Sequence, residues 1–396
     1  MRILQVCAKF HPYVASGSTK VAYHISKELA KRGHSVTVYT SNMKDKYNRI
    51  INGDGVEELD GIHVRRFKTV AISATREMKF FITPTLIKMS KEEIRSFDII
   101  HLHEYTTFQN IIIHHYARKY GVPYVLQAHG SLPRIGAWRR LKWLYDVFFG
   151  YRLLRDAAKV IALGRIEAEQ YRRMGVPEEK IAIIPNGIDL SEYANLPPKG
   201  CFKKKFGIKE EEKIVLYLGR IHRGKGIDFL IKSFAYLVKN GMENVKLVIA
   251  GPDDGYLNEA KSLVDSLGLG DRVLFTGMLH EADKISAYVD ADIVVNVEPK
   301  NVFGLVPLES AACSTPVIVS IDNAIRNIIR QGKFGFSVKS DDIYELAETM
   351  RKMLNDNDLL REMGQKGRRF VFENYNWANI ITKLEKVYDE VVVYAK

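Results

Sequence analysis

Cysteine is scarce in this sequence. Cys7, Cys201 and Cys313 lie far apart and none belongs to a CxxC pair. That excludes a disulfide framework and a cysteine-built zinc site, and it points to a reducing, cytoplasmic setting. No apolar run approaches the roughly 18 residues needed to cross a bilayer, so any membrane contact is expected to be peripheral. The opening "MRILQVCAKF" reads as a strand, without the long apolar region or small-residue cleavage site of a signal peptide. Low-complexity tracts are also missing. Apolar residues make up 46% and charged residues 27%, the balance of an ordinary globular protein.

What is present is length and positive charge. A chain of 396 residues exceeds the size at which one hydrophobic core keeps growing, so two domains are expected. Lys and Arg number 59 against 47 Asp and Glu, a net charge of +12. Such a balance favours anionic partners: nucleotide phosphates, anionic lipid surfaces or nucleic acid. No RNA- or DNA-binding motif accompanies the charge, so nucleic acid is not expected as a partner.

Short apolar runs alternate with segments of helical period, the pattern of strand and crossover helix that builds a parallel sheet. "RILQVC", "SVTVYT", "DIIHLH", "PYVLQA", "KVIAL" and "KIAII" are the strand candidates of the first half. Val21, Ile25 and Leu29 recur at helical spacing between the first two, and Gly33 stops that helix. The segment "SEYANLPPKG" breaks the pattern, which restarts with "KIVLYLG", "KLVIAG", "RVLFTG", "DIVVNV", "PVIVS" and "FGFSV". Two doubly wound α/β domains in tandem follow. The boundaries expected are 1–185 and 186–374, with an amphipathic helix over 375–396 packing back on the first domain.

Ligands of such sheets sit beyond the carboxyl ends of the strands, so chemistry is sought in the loops that follow them. In "ASGSTK", Gly17 lets backbone approach a ligand at a helix start, although the stretch reads equally as a tight turn capped by Ser18 or Thr19. In "LYLGRIHRGKGIDFLI", Arg220 and Lys225 stand in a glycine-containing loop where two cations can neutralise a diphosphate; a solvated basic turn is the plainer alternative. It is not a P-loop, because the GxxxxGK[ST] spacing is absent. In "EPKNVFGLVPLES", Gly304 permits a ligand-facing turn and Glu309 can take two ribose hydroxyls, or serve only as a dipole-favoured acid near a helix start. His129 ends a strand ahead of Gly130. His101 and His103 share a strand face as metal ligands do, but no third ligand follows at a plausible spacing, and no metal is expected.

In this order the four loops resemble the retaining glycosyltransferases of family 4, which have the GT-B fold: two Rossmann-like domains facing across a cleft. The resemblance covers essentially the whole chain. It rests on Gly17, the "HG" of His129 and Gly130, "IPNGID", the "GR" and "KG" of Arg220 and Lys225, and "FGLVPLES" followed by "TPVI". It implies an N-terminal acceptor-side domain and a C-terminal donor-binding domain. It further implies that Arg220 and Lys225 grip the diphosphate of a nucleotide sugar, that Glu309 binds the ribose, and that Phe303, Gly304 and Leu305 form the turn meeting sugar and phosphates. His129 falls beside the transferred sugar, Gly17 in the loop closing over the donor phosphates, and Leu279 near the base. No cofactor is implied; the nucleotide diphosphate sugar is the donor substrate.

One position departs from the family pattern. Two glutamates separated by seven residues are usual, and here the first falls on Asn301. An amide keeps the shape and the hydrogen bonds but cannot stabilise positive charge at an oxocarbenium-like centre. Glu298, before Pro299, is the nearest other acid. The activity expected is transfer of a hexosyl unit from a UDP- or GDP-sugar to a hydroxyl acceptor, with His129, Arg220, Lys225 and Asn301 at the reacting centre. A nucleotide-sugar-binding scaffold without transfer activity is the alternative that Asn301 raises. A lipid-linked glycan, a glycolipid or a polysaccharide precursor is the expected acceptor, because "RIGAWRRLKWLYDVFFGYRLLRD" joins Arg134, Arg139, Arg140 and Lys142 to Trp138, Trp143, Phe148 and Phe149. That composition suits the interface of an anionic membrane and equally a buried helix with a basic end.

Overall fold

Continuous apolar runs become strands buried on both faces, and their alternation sends successive side chains into two different cores. A computed structural model describes residues 1–13, 17–44, 48–72, 80–134, 139–299 and 303–395. The chain divides into two units, Met1–Gly187 with Trp377–Lys396, and Ile188–Asn376.

The first unit contains β1 (Arg2–Val6), β2 (Ser35–Ser41), β3 (Gly55–Leu59), β4 (Ile62–Phe67), the small pair β5 (Ala71–Ile72) and β6 (Phe81–Ile82), then β7 (Ile99–His103), β8 (Tyr124–Gln127), β9 (Lys159–Ala162) and β10 (Ile181–Ile183). Its main sheet runs β10-β9-β8-β7-β1-β2-β4-β3. All neighbours are parallel except β3 and β4. Leu4, Val6, Ile100 and Leu102 enter one core, while Ile3, Val36, Val38 and Ile99 enter the other. The second core is closed by the helix Trp377–Ala395, whose Trp377, Ile380, Ile381, Leu384, Val387, Tyr388 and Val391 recur at the spacing of one helical face.

Strands β3 and β4 lie outside the strands that the apolar pattern predicts. β3 is an edge strand with alternating exposure, and β4 hides Arg66 beside Glu57. Neither is an apolar run. Asp60 and Gly61, at φ 52° and 78°, make the two-residue turn between them.

The second unit contains β11 (Lys213–Leu218), β12 (Val245–Ala250), β13 (Val273–Gly277), β14 (Ile293–Asn296), β15 (Val317–Ser320) and β16 (Gly335–Val338). The order is β13-β12-β11-β14-β15-β16, and every pair is parallel. Val215, Leu247, Ile249 and Val295 face one core; Leu216, Val248, Val294 and Val319 face the other. The expected fold class, two Rossmann-like parallel-sheet units, is the fold observed.

Candidate active site

In each of the two large sheets the order of the parallel strands reverses once, and such reversals open a crevice beyond the carboxyl ends of the two strands that flank it. In the second unit those strands are β11 and β14, so the loops after them face one another.

Lys225 closes the first of these loops and Glu298 opens the second, and their side chains form an ion pair, each 20% exposed. Lys225 ends a single 3-10 turn, Arg223–Lys225, before the helix Ile227–Lys239. Arg220 stands at the rim, 61% exposed, with Nη1 2.6 Å from Oδ2 of Asp254. The Tyr217 hydroxyl donates to the Arg220 carbonyl at 3.0 Å and holds that turn from below. Gly251 is obligatory beside it: its φ is 148°, and a Cβ there would lie 1.8 Å from the Gly219 carbonyl oxygen. Both expected cations therefore lie on one loop, and each already has a carboxylate partner.

Glu309 lies in the first turn of the helix Val306–Ala312. Its Oε2 accepts the Tyr288 hydroxyl at 2.8 Å and its Oε1 lies 3.3 Å from Lys284 Nζ. Only 16% of its side chain is exposed, so it is a held carboxylate and not a solvated surface acid. Tyr288 and Lys284 share the helix Glu281–Asp290, and Leu279 lies just before that helix, half-buried against the same core. One helix thus joins the Leu279 loop to Glu309. Phe303 and Leu305 also pack against this core, with Gly304 between them. Asn301 lies outside the described residues.

In the first unit the reversal falls between β1 and β7. The helix Gly17–Lys31 starts after β1, and Ser18 Oγ donates to Glu104 Oε1 at 2.9 Å. Glu104 follows β7 directly, at φ 65°, and its amide donates to the Gln127 carbonyl of β8 at 2.8 Å. Gly17 is itself exposed. His129 ends the β8 loop in the left-handed region, at φ 52°.

A buried chain of side chains sets the His129 ring. His103 Nδ1 is 2.9 Å from His129 Nε2, and His103 Nε2 is 2.7 Å from Gln5 Oε1. Gln5 Nε2 donates to the Tyr388 hydroxyl, which lies 2.7 Å from His101 Nδ1. With Gln5 Oε1 as an acceptor, His103 carries its proton on Nε2, and His129 donates from Nε2 to His103 Nδ1. Burial holds His101 and His103 well below the ordinary imidazole range, with a neighbouring histidine adding to the effect in each case. The pair on one strand face is thereby engaged in hydrogen bonding. Among the described residues no group of three His, Cys, Asp or Glu side chains is gathered as metal ligands are.

Glu167 holds the His129 loop from the other side. Its Oε1 accepts the Gly130 amide at 2.6 Å and its Oε2 accepts the Leu163 amide at 2.8 Å. Burial pushes its carboxyl up to about 7, outweighing the two amide bonds. The sequence marks Glu298 only as the nearest other acid and does not mark Glu104, Glu167, Lys284 and Tyr288 as supports of the loops. A weak signal existed for two of them, since Lys284 and Tyr288 are four apart and share a helix face.

Residues 15–192 match Glycosyltransferase Family 4, and residues 199–389 match Glycosyl transferases group 1. An uncharacterised glycosyltransferase of Methanocaldococcus jannaschii is 28% identical over 98% of both chains. The N-acetyl-alpha-D-glucosaminyl L-malate synthase of Bacillus anthracis is 25% identical over 95% of this chain and 94% of that protein. Alpha-monoglucosyldiacylglycerol synthase of Streptococcus pneumoniae is 28% identical over 85% of this chain and 74% of its own length. Among solved structures, HepE of Anabaena in complex with UDP and glucose superposes with a TM-score of 0.78 at 18% identity, covering 98% of this chain and 100% of that one. The fold is GT-B. With two adjoining family matches that take in nearly the whole chain, and loops built on Arg220, Lys225 and Glu309 at the switch point of the second sheet, the chain belongs to the family 4 glycosyltransferases.

Proposed function

We propose that the protein is a retaining hexosyltransferase that takes its sugar from a UDP- or GDP-sugar and delivers it to a hydroxyl of a lipid-linked glycan, glycolipid or polysaccharide precursor. The observation that carries this reading is the meeting of Lys225 and Glu298 at the switch point of the second sheet, with Arg220 on the same loop and Glu309 held by Tyr288 and Lys284. A diphosphate entering there meets two cations already fixed in place, which lowers the cost of the sugar's departure. Glu309 presents a fixed carboxylate for two ribose hydroxyls. The bond broken joins the anomeric carbon to the diphosphate oxygen; the acceptor oxygen attacks from the face the phosphate leaves, and the departing phosphate takes the acceptor proton.

His129 beside the transferred sugar and Gly17 over the donor phosphates belong to the same reading, as does Asn301 next to the anomeric centre. The relatives with printed activities support the sugar chemistry: one is named for a glucosaminyl transfer product and one for a glucosylated diacylglycerol. The second of these favours a lipid acceptor, approached from the cytoplasmic face of a membrane.

Thermal-shift measurements with UDP-, GDP- and ADP-sugars identify the donor, because at a fixed concentration the ligand that binds more tightly stabilises the folded state more. Incubation with that donor and a panel of lipid and soluble acceptors follows, with the anomeric configuration of the product read by NMR. Retained configuration supports the reading. An inverted product, or donor binding without transfer to any acceptor, rejects it and favours a nucleotide-sugar-binding scaffold. In the latter case Asn301→Glu is the informative variant, since a gain of transfer marks a site altered at that position.

A further inference from the structure

Large apolar side chains are unevenly spread over this surface. Among the described residues, seven of the eighteen that are exposed fall between 141 and 151: Leu141, Trp143, Leu144, Val147, Phe148, Phe149 and Tyr151. They project from one continuous rod, the helix Arg139–Tyr145, a π-turn Asp146–Gly150 and the helix Tyr151–Asp156.

The inner side of this rod is firmly fixed. Tyr145, Leu153 and Leu154 are buried in the first unit's core, and the Tyr145 hydroxyl donates to the Tyr105 carbonyl at 2.7 Å. Asp146, fully buried, pairs with Arg134 at 2.6 Å. Gly150 lets the rod approach so closely that a Cβ would lie 1.9 Å from the Tyr105 hydroxyl oxygen. The wider π-turn rotates less per residue than an α-helix, so three consecutive residues, Val147, Phe148 and Phe149, face outward together. Their exposure is a consequence of a well-anchored helix and not of a loose one.

Among the described residues, the exposed charges of the rod and of the helix beside it have one sign. Arg139, Arg140 and Arg152 are exposed on the rod and make no ion pair among the described residues. The neighbouring helix Phe108–Tyr120 contains no acid and brings Arg118 and Lys119. Of the rod's two acids, Asp146 is buried and Asp156 is taken by His114, Arg118 and Arg155. Between the helices lies a groove of about 460 Å³, lined by His115, Arg118, Lys119, Phe148, Phe149 and Arg152 among others.

We propose that this face docks on an anionic lipid bilayer, with Trp143, Phe148 and Phe149 entering the headgroup and upper acyl region and the groove receiving a lipid phosphate between Arg118, Lys119 and Arg152. An apolar centre of Trp, Phe, Leu and Val with a basic rim, and with no exposed acid among the described residues of these helices, matches a bilayer surface, where phosphates lie above acyl chains. A second copy of this chain is a poor occupant, because a two-fold contact would set the basic rim against itself. The face also bears on the loop of His129: Lys142, on the same rod, donates to the carbonyls of Ser131 and Pro133. Docking would therefore steady that loop at the lipid surface, a consequence that rests on the proposed glycosyl transfer, whereas the docking does not.

The test is flotation of the full chain with vesicles of phosphatidylcholine alone or with about 30 mol% phosphatidylglycerol, at low and high salt. We expect partition onto the anionic vesicles at least about tenfold above the neutral ones, weakened by salt, with a blue shift of tryptophan emission. Phe148→Ser with Phe149→Ser, and separately Arg140→Glu with Arg152→Glu, should each lower partition about tenfold or more while the thermal shift with nucleotide sugar stays as in the parent. Equal partition onto both vesicle types, or variants that float like the parent, overturns the proposal. Self-association in sedimentation velocity that the same substitutions abolish, without flotation, overturns it in favour of a dimer face. Flotation without sugar transfer to any acceptor would count against the transferase reading alone.

Discussion

Lys225 and Glu298, seventy-three positions apart, form an ion pair where the strand order of the second sheet reverses. The pair puts a carboxylate next to the place proposed for the donor diphosphate, and Lys225 is what neutralises it. Lys225→Ala should then remove a phosphate contact and also take away the cation paired with Glu298. We expect kcat/KM to fall by about a hundredfold, against about tenfold for Arg220→Ala at the exposed rim. Adding Glu298→Ala to Lys225→Ala should recover about threefold or more in UDP affinity by calorimetry. No recovery would mean that the carboxylate does not sense the nucleotide.

Tyr288 is fully buried with its hydroxyl on Glu309. Tyr288→Phe removes one of the groups that fix this carboxylate and, among the described residues, leaves the Lys284 ammonium beside it. UDP affinity should drop by about fivefold, the worth of roughly 1 kcal/mol, with a loss of a few degrees in the melting midpoint. Unchanged affinity in a folded variant would remove Glu309 from the nucleotide site.

Gly251→Ala tests how closely the Arg220 turn is packed. A methyl group there collides with the Gly219 carbonyl in a backbone region that L residues rarely adopt. We expect a cost above about 2 kcal/mol, a midpoint lowered by roughly 5 °C or more, and weakened donor binding because Arg220 follows Gly219. A variant with parental melting and binding would show that the turn relaxes freely.

Glu167 should make the first unit less stable as pH rises. Its carboxyl is held up to about 7 in the folded chain against 4.5 as the reference, so the folded state retains the proton over that window and the unfolded state does not. Stability at this group is therefore full below about 4.5 and declines by up to about 3 kcal/mol toward pH 7. Denaturant titrations of the parent and Glu167→Gln at several pH values check this: the difference between them should shrink or reverse as pH rises, and a difference independent of pH would contradict it.

His101 and His103 work in the opposite direction. Burial keeps both neutral in the folded chain, while the unfolded chain takes up protons below about 6.5. Their contribution is complete above about pH 6.5 and is lost as pH falls below it. His103→Gln should flatten this acid limb in denaturant titrations between pH 7 and pH 5. It should also lower kcat more than it raises KM, because the His129 ring loses the imidazole it is bonded to. A steep acid limb retained in the variant would assign the effect to other groups.

The sequence by itself determined the fold class, because parallel strands buried on both faces must be written as short apolar runs, as in "KIVLYLG" and "DIVVNV". It also determined which loops to inspect, since ligand loops follow strand ends, and the ordered motifs around Arg220, Lys225 and "FGLVPLES" fixed the family. The β3–β4 hairpin escaped because an edge strand with one wet face, and with Arg66 hidden by pairing to Glu57, has no apolar run to show. Only the tertiary structure decided the partners: Glu298 on Lys225, Tyr288 and Lys284 on Glu309, Glu167 on the amide beside His129, and His103 on His129 itself. It likewise resolved the ambiguity of residues 139–156, whose apolar positions run nearly all round. Tyr145, Leu153 and Leu154 fill the core while Trp143, Phe148 and Phe149 remain outside. Such pairings join residues far apart in the chain, and neither local propensity nor period carries information on which distant side chain will arrive.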